Sequence, residues 1–215
     1  MAAPTPAPAA LHDRARALVL RMHAVERWAY AVDTSTPRAD IDAAAKVAGY
    51  ALVEDDPAAK AARYEAPSEG RADGLVLVER PDLGVTILQA FGPTTPDRLG
   101  PVLEKTGFVP QSSLLARAYD LADPRAPQAL TALAHMVVAW DDDWADLFLL
   151  HLAAPDPVVR HTATLATVIA ALSARSKEPA RSLLLEARRR ERYPKLKDTM
   201  GEALAAVEAI APAAP

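Results

Sequence analysis

The sequence predicts an α+β chain, with N-terminal helices and a β-hairpin or small sheet followed by a C-terminal stack of about three helical hairpins. Three observations point there. From Leu11, apolar residues recur at alternating steps of four and three, the spacing of one helix face. Two β-rich runs, Gly74–Arg80 and Val85–Phe91, flank a Pro-Asp-Leu-Gly turn. Beyond Ser112, stretches of helical character recur at offsets of 33 and 37 residues. The implied organisation is a disordered tail over 1–10, a small α+β domain over 11–109 and a helical repeat domain over 110–211.

The first stripe, Leu11, Ala15, Leu18, Met22, Val25, Ala29 and Val32, predicts a helix about six turns long. Thr34-Ser-Thr-Pro37 ends it and supplies a hydroxyl cap with Pro in the first turn of a second helix, Arg38 to Ala48, which Gly49 stops. Tyr50–Glu54 switches to an extended pattern, and Arg63–Ala66 is a weaker strand signal. Between Gly74–Arg80 and Val85–Phe91, Pro81 suits the second turn position and Gly84 supplies a positive φ, so the pair reads as a hairpin. Four consecutive apolar residues in its first strand imply burial on both faces. Pro93–Pro96 opens a helix from Asp97 to about Thr106, ended by Gly107. The repeats follow as paired helices: 112–122 with 128–139, 144–154 with 158–174, and 180–192 with 195–210.

The repeat unit is clearest in Asp156-Pro157-Val158-Val159-Arg160 and the Ala-rich helix after it. Downstream, Pro157, Arg160 and Thr162 correspond to Pro194, Lys197 and Thr199; upstream, Leu114, Leu115 and Asp123 correspond to Leu147, Phe148 and Asp156. Pro127 takes the place of the Arg in the first copy, and Tyr193-Pro194 replaces Asp-Pro in the third. An apolar helix, an Asp-Pro turn with Val and Arg, and a second helix together resemble a HEAT repeat. The resemblance covers about half the chain and implies stacked helical hairpins that bind other proteins. In that setting Asp156 is expected to cap a helix and Arg160 to make hydrogen bonds between helices at the turn.

Hydrophobic residues are 51% of the chain and charged residues 24%, enough to build and solvate a core. Net charge is -4, so the chain as a whole has no electrostatic drive toward phosphate backbones or anionic membranes. The absence of cysteine excludes disulfides, thiolate catalysis and Cys-ligated metals, and fits a reducing compartment, so cytoplasm is the expectation. The opening residues show no signal-peptide pattern, and the longest uncharged apolar run, 162–174, falls short of a membrane span. Abundant Ala, Arg, Asp and Pro suit a bacterial genome rich in GC.

Trp140-Asp141-Asp142-Asp143-Trp144 is the most unusual string. Carboxylates and indole faces both attract ammonium and guanidinium groups, so Trp140, Asp141, Asp142 and Trp144 form the expected partner-binding site, with a protein bearing exposed Lys or Arg as the partner. A helix cap by an Asp is the competing explanation of the acids. Arg188, Arg189, Arg190, Arg192 and Lys195 form a candidate basic patch, weighed against a solvated face at a helix end. The five histidines show no zinc spacing, and no catalytic or nucleotide-binding motif occurs, so neither cofactor, metal nor catalytic residue is expected. The functional expectation is a protein-binding adaptor or scaffold, in its sharper form an immunity- or antitoxin-like protein that occludes a partner. The alternative is a nucleic-acid-processing enzyme resembling helical-repeat DNA glycosylases, which place Trp and Asp together in a groove.

Overall fold

The hairpin around Pro81–Gly84 lies at the centre of a six-stranded antiparallel sheet. The structure is a computed structural model and describes residues 27–67, 73–92 and 95–210. The chain divides into two units, Met1–Val109 and Pro110–Pro215, and it is α+β, the strands all falling in the first unit and a run of helices in the second.

The first unit contains β1 (Arg27–Asp33), α1 (Arg38–Val47), β2 (Ala51–Asp56), β3 (Ala61–Ala66), β4 (Asp73–Arg80), β5 (Val85–Phe91), α2 (Thr95–Lys105) and β6 (Phe108–Val109). Sheet order is β2-β3-β4-β5-β1-β6, every neighbouring pair antiparallel. Gly84, at φ 69°, completes the β4–β5 turn, where its N–H donates to the Pro81 carbonyl at 3.2 Å. Because side chains alternate between faces, Val32, Tyr64, Leu75, Leu77 and Leu88 meet Ile41 and Ala45 of α1 and Leu99 and Val102 of α2 in one core. The other face is buried too, through Ala31, Val76, Ile87 and Phe91. Unbroken apolar runs in β4 and β5 therefore correspond to burial on both sides.

Helix α1 ends as the sequence predicts: Gly49 takes φ 87°, and the Tyr50 N–H reaches the Ala45 carbonyl at 2.9 Å. Its first turn also holds the sheet. Arg38 donates to Asp42 on α1 (2.7 Å), to the Tyr64 hydroxyl on β3 (3.1 Å), and to Asp55 (3.3 Å) and Glu79 (3.4 Å) on β2 and β4. The Tyr64 hydroxyl also bonds Asp42. Burial and that bond to a carboxylate push the Tyr64 pKa above its ordinary value, so the phenol keeps its proton.

One expectation is overturned. The helix predicted to run to Val32 is, over Arg27–Asp33, strand β1, paired through all seven positions with β5, Trp28 opposite Ala90 and Val32 opposite Thr86. Trp28, Tyr30 and Val32 alternate toward the core beneath α1 and α2. Aromatic and β-branched residues at period two favour a strand, and Ala29 with Val32 also satisfied the helical stripe. A partner about sixty positions downstream decided between the two. The rest of the predicted helix, 11–26, and the expected tail, 1–10, lie outside the described residues. The short strand β6, unforeseen in the sequence, pairs Val109 with Ala31.

The second unit holds α3 (Gln111–Tyr119), α4 (Ala126–Met136), α5 (Asp142–Leu152), α6 (Pro157–Ala174), α7 (Glu178–Arg190) and α8 (Pro194–Glu208). They pack as pairs, α3 with α4, α5 with α6 and α7 with α8. The second helices α4, α6 and α8 also pack in succession, and the first helices α3, α5 and α7 touch in the same order. Each second helix starts with Pro in its first turn, where the missing N–H costs nothing. Small residues allow the close approach: Ala129, Ala132, Ala163, Ala166, Ala170 and Ala203 are all buried. Among the described residues no helix is long and apolar enough to cross a membrane.

Candidate functional site

The Trp140–Trp144 string forms the entry to α5, and its members take different roles. Asp141, in extended conformation at φ -137°, is the N-cap, and its carboxylate accepts the Trp144 N–H at 2.9 Å. That bond satisfies one of the helix's unpaired amides. Asp142 and Asp143 occupy the first turn, where negative charge complements the dipole, and both carboxylates are exposed. Asp146, a turn further on, is exposed as well.

The two indoles part company. Trp140 packs its ring against Phe148 at 5.2 Å and against the cluster of Ala171, Ala180, Leu184, Ala203, Val207 and Ile210. Its Nε1 is out of solvent with no hydrogen-bond partner among the described residues. Trp144 is half-buried and Val138, in the preceding loop, is exposed. Both indoles are half-buried, but only Trp140 packs on that cluster, so the surface at the start of α5 consists of Trp144 and the exposed Asp141, Asp142 and Asp143 of the string, with Val138 before it and Asp146 after it.

The Asp-Pro turn carries a second polar centre, which is structural. Asp156 caps α6 by accepting the Val158 N–H at 2.7 Å. Arg160, one turn into α6, forks onto Glu191, Nε to Oε2 at 2.8 Å and an Nη to Oε1 at 3.1 Å, and also donates to the carbonyls of Ala154 (2.9 Å) and Pro155 (2.8 Å). Glu191 in turn accepts the N–H groups of Arg192 and Tyr193. The hydrogen bonds from Arg160, reinforced by those amides, hold the Glu191 pKa below the usual carboxylate range against the opposing effect of burial. The sequence assigned Asp156 and Arg160 these roles, whereas Glu191 was hidden inside the basic run Arg188–Arg192.

Arg188, Arg189, Arg190 and Arg192 of that run, and Lys195 after it, are exposed around the α7–α8 turn. The turns joining each helix pair also present apolar side chains that sequence reasoning missed: Tyr119 and Leu121 in the first pair, Val158 (68% exposed) in the second and Tyr193 (59% exposed) in the third. Tyr119 and Leu121 satisfy the helical pattern of a core face, so no local signal marked them. His151 is buried in α5, its Nε2–H donating to the Ala118 carbonyl of α3 at 2.7 Å. Among the described residues no group of three or more His, Asp or Glu is placed to hold a metal ion.

No known protein family matches this chain, and no curated protein matches it.

Proposed function

We propose that the chain is a protein-binding adaptor whose helical unit is a HEAT-like stack. The observation that supports this reading is that α3–α8 pack as successive pairs and that α4, α6 and α8 pack on one another from pair to pair. Such an array exposes long surfaces whose side chains can vary without disturbing the packing. The start of α5 supplies a surface suited to recognition: a half-buried indole, an exposed Val138 and the carboxylates of Asp142, Asp143 and Asp146. Indoles concentrate binding energy at protein interfaces, and the acids favour a partner with exposed Lys or Arg.

Affinity capture with the wild-type chain and with a Trp144→Ala, Asp142→Lys variant tests the proposal. Proteins retained by the wild type are identified by mass spectrometry and titrated against both forms by calorimetry. The variant is expected to bind at least about tenfold more weakly, or ~1.4 kcal/mol, with an unchanged melting temperature. Equal affinity of every captured protein for both forms would remove the start of α5 as a binding surface.

A further inference from the structure

The corner between α7 and α8 gathers positive charge from both helices onto one surface. Arg188, Arg189, Arg190, Arg192, Lys195 and Lys197 are exposed there, in a chain whose net charge is -4. The Arg188 Nε reaches the Lys197 carbonyl at 3.3 Å, which brings the end of α7 against the start of α8. Glu191 does not offset this charge, because it is buried beneath the corner on Arg160. On the outer face of α7 lies an open depression of about 460 Å³, lined among the described residues by Ser182, Leu185, Glu186, Arg189 and Arg190. Beside these cations, Tyr193 stands 59% exposed.

We propose that this corner is a docking surface for an acidic segment of a partner protein, one carrying an aromatic or leucine side chain among its carboxylates. Guanidinium groups pair with carboxylates through two parallel hydrogen bonds and stack on aromatic rings. Leu185 in the depression and the Tyr193 ring supply the apolar contacts. The corner is also preorganised: Glu191 holds the Arg192 and Tyr193 amides at 2.8 and 2.9 Å, so less order has to be imposed on binding. Nucleic acid fits less well. Glu186, paired with Arg190 at 2.5 Å, and the exposed Asp198 and Glu202 of α8 set negative charge among the cations. Spaced carboxylates can avoid those positions, whereas a continuous phosphate chain cannot. This surface is distinct from the start of α5 and stands independently of the reading given to it.

The test uses the full chain and fluorescence anisotropy with three labelled probes: the peptide Glu-Asp-Glu-Phe-Glu-Leu-Asp-Glu, its counterpart with Lys at every acidic position, and a single-stranded oligonucleotide of equal length. The acidic peptide is expected to bind most tightly and to weaken as salt rises. Arg189→Glu with Arg192→Glu is expected to reduce that affinity at least about tenfold, and Tyr193→Ala about threefold, with unchanged circular dichroism melts. If the charge reversal does not fold, Arg189→Gln with Arg192→Gln is expected to weaken binding in the same direction. The proposal is overturned if the acidic peptide does not bind, if substitution leaves its affinity unchanged, or if the oligonucleotide binds more tightly. Sedimentation showing self-association that the charge reversal abolishes would assign the corner to a second copy of the chain and equally overturn it.

Discussion

The two units hold their structures through interactions of different reach. In the sheet unit, β1 is a strand because β5, about sixty positions away, supplies its hydrogen bonds, and Arg38 joins α1 to three strands at once. In the helical unit many of the bonds are short in sequence: Asp141 caps Trp144, Asp156 caps Val158, and each first helix packs on its second, while α4, α6 and α8 pack on one another between pairs. Longer ties, such as Arg160 to Glu191, connect one pair to its neighbour.

The largest effect is expected where reach is longest. Leu77 is fully buried in the central strand β4, and Leu77→Ala should cost about 4 kcal/mol. The loss should appear in chemical denaturation and strip hydrogen-exchange protection from β3, β4 and β5 while α4 and α6 keep theirs. Loss of protection in α4 and α6 to the same degree would show that the units are one cooperative body.

Glu191→Ala comes next. It leaves Arg160 without its carboxylate and the Arg192 and Tyr193 amides without their acceptor, at an expected cost of about 3 kcal/mol. Protection should fall in α7 and α8 before α3 and α4. Trp140→Ala should follow at about 2 kcal/mol, since the ring packs on Phe148 and the last helices, whereas Trp144→Ala should change stability by less than about 1 kcal/mol. Thermal melts of the two variants separate them; equal shifts would contradict the different placements of the indoles.

The smallest effect is a pH dependence. Burial, opposed by the bond to the Ala118 carbonyl, lowers the His151 pKa below its ordinary value of ~6.5. As pH falls through ~6.5 the unfolded chain takes up a proton that the folded one refuses, so stability present above that pH declines until the folded pKa is reached. His151→Leu should flatten the melting temperature between pH 7 and pH 5. An unchanged slope would mean that another group carries the dependence.

What was legible in the sequence follows the same division of reach. Proline, aspartate caps and apolar periodicity placed all six helices of the second unit to within a few residues, because each signal sits beside the element it controls. The β4–β5 hairpin was legible for the same reason: Pro81 and Gly84 lie between its strands. Strand β1 was not, because Trp28, Ala29, Tyr30, Ala31 and Val32 fit either period and only the distant β5 discriminates. At the candidate site, a cap by one of the three Asp residues was readable from their place before an apolar helix, but which of them caps was not, because the helix starts two residues earlier than expected and makes Asp141 the cap. The separation of Trp140 from Trp144 was not, since it depends on Trp140 packing on Phe148 within α5 and on residues of the α6–α8 cluster far along the chain.

Native-state hydrogen exchange across the whole chain, followed residue by residue as denaturant rises, tests this contrast most directly. The amides of β1 that face β5, from Trp28 to Val32, should open together with β4 and β5 in a single step, while α7 with α8 opens at lower denaturant than α5 with α6. Protection in β1 that persists after β5 has opened, or simultaneous opening of all six helices with the sheet, would contradict it.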